Sequence, residues 1–190
     1  MFDKDQFVAD CRAALSGDRA SRNVREVVAR AVKDPADVIK ALGEPKAGGI
    51  EPIHRSPELT ILTVLWPANM VIMPHDHSMW AVIGVYDGRE DNMLWRRLPA
   101  DADGKIEAAG AIALSTKDAQ LFGPDVIHSV VNPIERVTGA IHVYGGDFFR
   151  SGRTQWDPET LCPREYDAQW TMRHFAESNT RWTAGSAALS

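Results

Sequence analysis

A chain of 190 residues, 44% hydrophobic and 25% charged, has the make-up of one globular domain with a core of its own, and a single domain over 1–190 is the expectation. A net charge of −5 argues against nucleic acid or an anionic membrane as the main partner. No run of 18 apolar residues occurs, the start (Met1-Phe2-Asp3-Lys4-Asp5) is charged, and the two distant cysteines, Cys11 and Cys162, read as reduced thiols, so the expected setting is cytoplasmic.

Residues 1–46 read as a helical layer. Asp3 can cap a first helix whose stripe is Phe7, Val8, Cys11, Ala14 and Leu15, with Gly17 ending it. Val24, Val27, Val28 and Ala31 carry a second helix from about Ser21, and Ala36 to Leu42 a short third. No chemistry is visible in these helices; their expected job is to cover a sheet face or a partner subunit.

From 47 to 150 the texture changes to short strands divided by turn residues, among them Asp87-Gly88 and Asp103-Gly104. Leu59–Trp66, Met70–His77, Trp80–Tyr86, Asn92–Leu98, Ala111–Leu114, Ala119–Phe122, Val126–Val131 and Val137–Tyr144 all read as strands. With no helix among them, they point to an all-β antiparallel barrel or jelly roll. Residues 151–190 read as a tail: irregular over Trp156–Pro163, a short helix within Arg164–Ser178, and fraying beyond Trp182.

The chemistry concentrates in histidines. His75 and His77 stand two apart before an apolar strand, so extended backbone projects both to one face and Asp76 to the other. Two imidazoles aimed at one point from a sheet suit a metal site. His128, in Gly123-Pro124-Asp125-Val126-Ile127-His128, sits where a turn feeds another strand, and by itself would pass for a hydrogen-bonded core histidine.

Taken together, His-x-His before one strand and a His followed four residues later by Asn132 on another resemble the two-motif signature of the cupin superfamily, over roughly residues 50–146. The resemblance implies a double-stranded β-helix holding a metal on His75, His77 and His128. Many cupins add a glutamate seven residues before the glycine closing the first motif; here that place is Ala81, and no carboxylate lies between His77 and Asp87. Three neutral imidazoles leave a divalent ion its full charge and open positions, which favours an anionic donor such as a thiolate.

That detail resembles the thiol dioxygenases, the cysteine and 3-mercaptopropionate dioxygenase family. Trp66 lies nine residues before His75, the Trp80-Ala81-Val82-Ile83-Gly84-Val85 run follows His-Asp-His, and Ala140-Ile141-His142-Val143-Tyr144 is similar to the family's Ser-x-His-x-Tyr strand. The resemblance implies Fe(II), a small thiol and dioxygen as partners, and a Tyr144 hydroxyl oriented by His142 toward the bound ligand. It departs at Ala140, where the family's serine would orient His142, and at Ala81, where animal enzymes carry a cysteine crosslinked to the tyrosine. Arg55, by analogy with the family's upstream arginine, is the expected carboxylate anchor, with His54 beside it as a substitute. Arg89-Glu90-Asp91 and Arg96-Arg97 read as a solvated face, and Trp80 as either pocket wall or core. Two other readings stay open: a zinc, manganese or nickel site for hydrolysis, isomerisation or C–C cleavage, and a non-catalytic small-ligand cupin. An oligomer is compatible with all three.

Overall fold

The structure, a computed structural model, describes residues 1–150 and 152–187. Three helices, α1 (Lys4–Ala14), α2 (Ala20–Val32) and α3 (Pro35–Leu42), come first. As expected, Asp3 caps α1, its side chain accepting from the Gln6 amide at 2.8 Å. α3 starts on Pro35 and stops at Gly43, whose φ of 92° closes the helix without strain.

Eleven strands then follow among the described residues: β1 (Gly49–Arg55), β2 (Thr60–Trp66), β3 (Val71–Asp76), β4 (Ala81–Asp87), β5 (Arg89–Arg97), β6 (Ile106–Ser115), β7 (Ala119–Phe122), β8 (Ile127–Val131), β9 (Thr138–Tyr144), β10 (Thr154–Trp156) and β11 (Pro163–Glu165). They form a five-stranded sheet ordered β1-β2-β9-β4-β7 and a six-stranded sheet ordered β11-β10-β3-β8-β5-β6, antiparallel throughout. This is the all-β core expected, with its helical layer.

The layering explains why the central strands are apolar on both faces. Leu62, Val64, Ile83, Val85, Ala140 and Tyr144 point between the sheets, where Ile72 and Val130 of the second sheet meet them. The alternate residues, Ile61, Val82, Tyr86, Ile141 and Val143, face outward onto Phe7, Cys11, Val24, Val28 and Val32 of the helices. Cys11 is a free thiol in this outer core, and burial pushes its pKa up to about 12.

Several elements differ from the sequence-based expectation. β1 adds a strand ahead of the first one expected, at Leu59, and β6 runs ten residues where four were expected. The tail is not loose: β10 joins the edge of β3 by pairing Gln155 with His75, and α4 (Ala168–Ala187) is a long helix rather than a short one. The expected fraying beyond Trp182 conflicts with helix through Ala187; residues 188–190 lie outside the described residues. Phe175 of α4 is buried and stacks on Trp66 at 5.4 Å, closing one end of the space between the sheets.

At Gly84 the helical layer touches the sheet backbone. A Cβ there would lie 2.4 Å from Val28 Cγ1 and 3.0 Å from Val32 Cγ1. Gly84→Ala is therefore expected to destabilise the fold by about 1–3 kcal/mol through overpacking, read from urea denaturation. Shortening Val28 in the same chain (Val28→Ala) should recover part of the loss.

Candidate metal centre

β3 and β8 pair with His75 opposite His128, and His77 follows two residues on, just past the strand end. All three imidazoles are buried, at 6%, 5% and 1% exposure, and one ring nitrogen from each lies within 4.8 Å of the others. The Nε2 atoms of His77 and His128 are 3.3 Å apart. Two nitrogens bound to one cation at 2.0–2.1 Å with tetrahedral geometry would stand about 3.4 Å apart, so the spacing fits a divalent ion. Asp76 turns away as expected, its carboxylate accepting from the Thr154 amide at 3.0 Å and so holding β10 to β3.

On two of the rings the nitrogen facing away is also engaged. His75 Nδ1 donates to the Met73 carbonyl at 3.0 Å, and His128 Nδ1 lies 2.7 Å from Asn92 Oδ1. Burial pushes His75 down to about 4, against the opposing Met73 hydrogen bond and with the Arg153 cation adding to the fall. Burial is also the main cause that holds His77 and His128 well below the usual histidine range, neighbouring imidazoles adding to it. Neutral rings are the form that binds metal.

His142 and Tyr144 share the inner face of β9, with His142 Nδ1 3.0 Å from the Tyr144 hydroxyl. The Tyr144 ring stands edge-on to His77 at 5.0 Å, and burial pushes its phenol pKa upward, which keeps the hydroxyl protonated. Ala81 and Tyr144 are register partners across β4 and β9. On the far side of the His142 ring, Glu90 Oε2 sits 3.2 Å from Nε2. Glu90 is 0% exposed, which corrects its reading as part of a solvated face. Arg89 and Asp91, its neighbours, do point outward and pair with each other at 2.7 Å, and Arg96 pairs with Glu107 in solvent. Glu90 also accepts from Trp66 Nε1 at 2.7 Å and from Asn92 Nδ2 at 3.2 Å.

Arg55 is not brought to this cavity. It ends an edge strand, exposed, with its guanidinium bidentate on Asp147 at 2.8 and 2.9 Å, and the expected substrate anchor has no geometric basis there. His54 does not line the cavity either. Trp80 belongs to the outer core, its indole filling the space a Cβ on Gly145 would take. His174 lies on the surface, stacked on Trp170 and bonded to the Val71 carbonyl.

The arginine near the site is Arg153, in the segment read as an irregular tail. It is 8% exposed, its guanidinium packed over Phe148 at 4.2 Å and Tyr166 at 4.0 Å, and its buried Nη1 has no hydrogen-bond partner. The histidines, Tyr144, Phe148 and Tyr166 line an inner cavity of about 30 Å³, and His77 and Arg153 also line an outer hollow of about 550 Å³. No sequence periodicity marks Arg153. Its only signal was an arginine close to aromatic residues.

Fold and centre together define an all-β core of two antiparallel sheets with a candidate three-histidine metal site. No family model matches the chain, and no curated protein matches it in sequence. Among solved structures it is similar to an RmlC-like cupin family protein with a double-stranded β-helix fold from Methanocaldococcus jannaschii (11% identity, TM-score 0.44, covering 54% of this chain and 84% of that one). It is also similar to the DMSP lyase DddQ from Ruegeria pomeroyi (17%, TM-score 0.42, 55% and 46%) and to oxalate decarboxylase from Bacillus subtilis (14%, TM-score 0.44, 58% and 28%). The matched region spans less than half of the lyase and of the decarboxylase.

The depressed histidines make metal-free stability depend on pH. His75 takes up its proton near 6.5 when unfolded but only near 4 when folded, so the unfolded chain gains protons first as pH falls. Stability should be level above neutrality and decline from about pH 6.5 toward 4, by up to about 1.4 kcal/mol per pH unit from His75, with His77 and His128 acting in the same direction. Denaturant titrations of metal-free protein across that window will show the slope, and a flat profile would contradict the burial argument.

Proposed function

We propose that the protein oxidises a small carboxylate-bearing thiol to its sulfinate with dioxygen, using Fe(II) held by His75, His77 and His128. The single observation that supports this best is the buried Arg153 guanidinium, unpartnered at Nη1 beside a ligand set with no carboxylate. A divalent ion on three neutral imidazoles, together with the Arg153 guanidinium, would outweigh the buried Glu90 carboxylate, and a molecule carrying both a thiolate and a carboxylate answers that positive excess. Bound Fe(II) supplies the one-electron chemistry that lets dioxygen react with a thiolate. The reaction balances as thiol plus O₂ giving sulfinate plus a proton, both oxygen atoms ending on sulfur.

The chain's own residues divide the remaining work. Arg153 binds the carboxylate and so turns the sulfur end toward the histidines. The Tyr144 hydroxyl, fixed by His142, is the polar group beside the reacting end, and Phe148 and Tyr166 exclude water around it. On this reading the partners are a small thiol and dioxygen, in a reducing compartment.

Oxygen uptake by iron-loaded protein with cysteine, 3-mercaptopropionate, mercaptosuccinate and cysteamine tests the reading. Carboxylated thiols should be turned over in preference to cysteamine. Arg153→Gln should raise KM for a carboxylated thiol about 10–100-fold, the loss of a charge-assisted contact, while leaving cysteamine turnover unchanged. No thiol-dependent uptake across the panel would reject the activity. Protein purified without added metal but full of zinc, with no redox signal, would favour a hydrolytic or isomerase site instead.

A further inference from the structure

We propose that Glu90 is the positioning residue that sets the donor–acceptor polarity of the metal centre, and through Asn92 fixes which nitrogen of His128 is free to bind metal. The inference rests on the three-histidine centre and is indifferent to the substrate.

Glu90 and Asn92 are two apart on β5, so both project to the interior, while Arg89, Asp91 and Met93 project outward. The Trp66 indole and the Asn92 amide both donate to the Glu90 side chain, and His142 Nε2 stands 3.2 Å from the oxygen that already accepts from the indole. A carboxylate in that setting accepts and has no proton to give. Asn92 must therefore turn its NH₂ toward Glu90 at 3.2 Å, which leaves its oxygen to face His128 Nδ1 at 2.7 Å. An oxygen acceptor at that distance holds the imidazole proton on Nδ1. Nε2, the nitrogen 3.3 Å from His77 Nε2, then keeps its lone pair for a cation. In the other direction the same carboxylate holds a proton on His142 Nε2, whatever the charge of that ring.

Glu90→Gln makes a directional forecast, because the indole N–H can only donate. The glutamine oxygen must stay at the Trp66 and His142 end, so its NH₂ turns to Asn92. Asn92 then rotates to offer its oxygen to Gln and its NH₂ to His128. His128 Nδ1 must accept, and the ring proton moves to Nε2, the atom that should face the metal. The double variant Glu90→Gln with Asn92→Asp repairs this: a carboxylate at 92 accepts from the glutamine amide and from His128 Nδ1–H together.

Two measurements test the proposal. Histidine tautomers are read from long-range ¹H–¹⁵N spectra of metal-free protein, and Zn(II) affinity from chelator competition on the same preparations. His128 should be protonated on Nδ1 in the wild type and on Nε2 in E90Q. Zn(II) affinity should fall about 10–100-fold in E90Q and return to within about threefold of wild type in the double variant. A wild-type His128 protonated on Nε2 overturns the proposal without any variant, so a misfolded E90Q leaves it decidable. Unchanged affinity in E90Q, or a double variant no better than E90Q, also overturns it. Wild-type protein that takes up no Zn(II) would instead remove the metal centre itself.

Discussion

Three imidazoles with ring nitrogens inside 4.8 Å can share a buried interior only if each keeps a single ring proton and none becomes an imidazolium cation. The rest of the core is arranged so that this holds. The pairing of His75 with His128 in β3 and β8 brings two rings together, and the two-residue step to His77 adds the third. Polar atoms of the right sense stand behind two of the rings: the Met73 carbonyl of β3 itself behind His75, and Asn92 from the neighbouring β5 behind His128. A slip of one residue in either ladder would turn a ligand out of the interior and bring an apolar neighbour in, so sheet register is here a condition of the chemistry.

The interior is consequently polar at its centre and apolar around it. Glu90, Asn92, His142 and Tyr144 form one hydrogen-bonded chain in the middle of a core built from Leu, Ile, Val and aromatic side chains. Burying a carboxylate costs several kcal/mol when its lone pairs are unmet, and the Trp66 and Asn92 donors offset that cost at Glu90. Every link in the chain depends on the one beside it, which is why it behaves as a unit rather than as separate contacts.

What the sequence disclosed follows from period-two geometry. His75 with His77, and His142 with Tyr144, were legible because residues two apart in a strand share a face. The doubly apolar strands β2, β4 and β9 were legible because a sheet covered by helices needs both faces buried. Glu90 was hidden by its neighbours: between Arg89 and Asp91 it looks like one of three surface charges, and only the alternation that continues through Asn92 marks it as inward. Arg55 misled for the opposite reason, since an arginine upstream of the motif fits the resemblance, yet an edge strand gave it solvent and Asp147. Arg153 and Tyr166 lie in a segment with no periodicity, and only its pairing against β3 brings that segment to the site.

The position of Arg153, buried yet lining the outer hollow, bears on the electroneutrality of the site. With neutral imidazoles, a divalent ion and this guanidinium would set three positive charges against the Glu90 carboxylate, the buried Asp76 carboxylate being matched by Arg97, a surplus of two in a low-dielectric space. A dianionic guest cancels that surplus, whereas a zwitterionic one leaves part of it standing. On the proposed reading, discrimination between otherwise similar small molecules then follows total valence rather than shape.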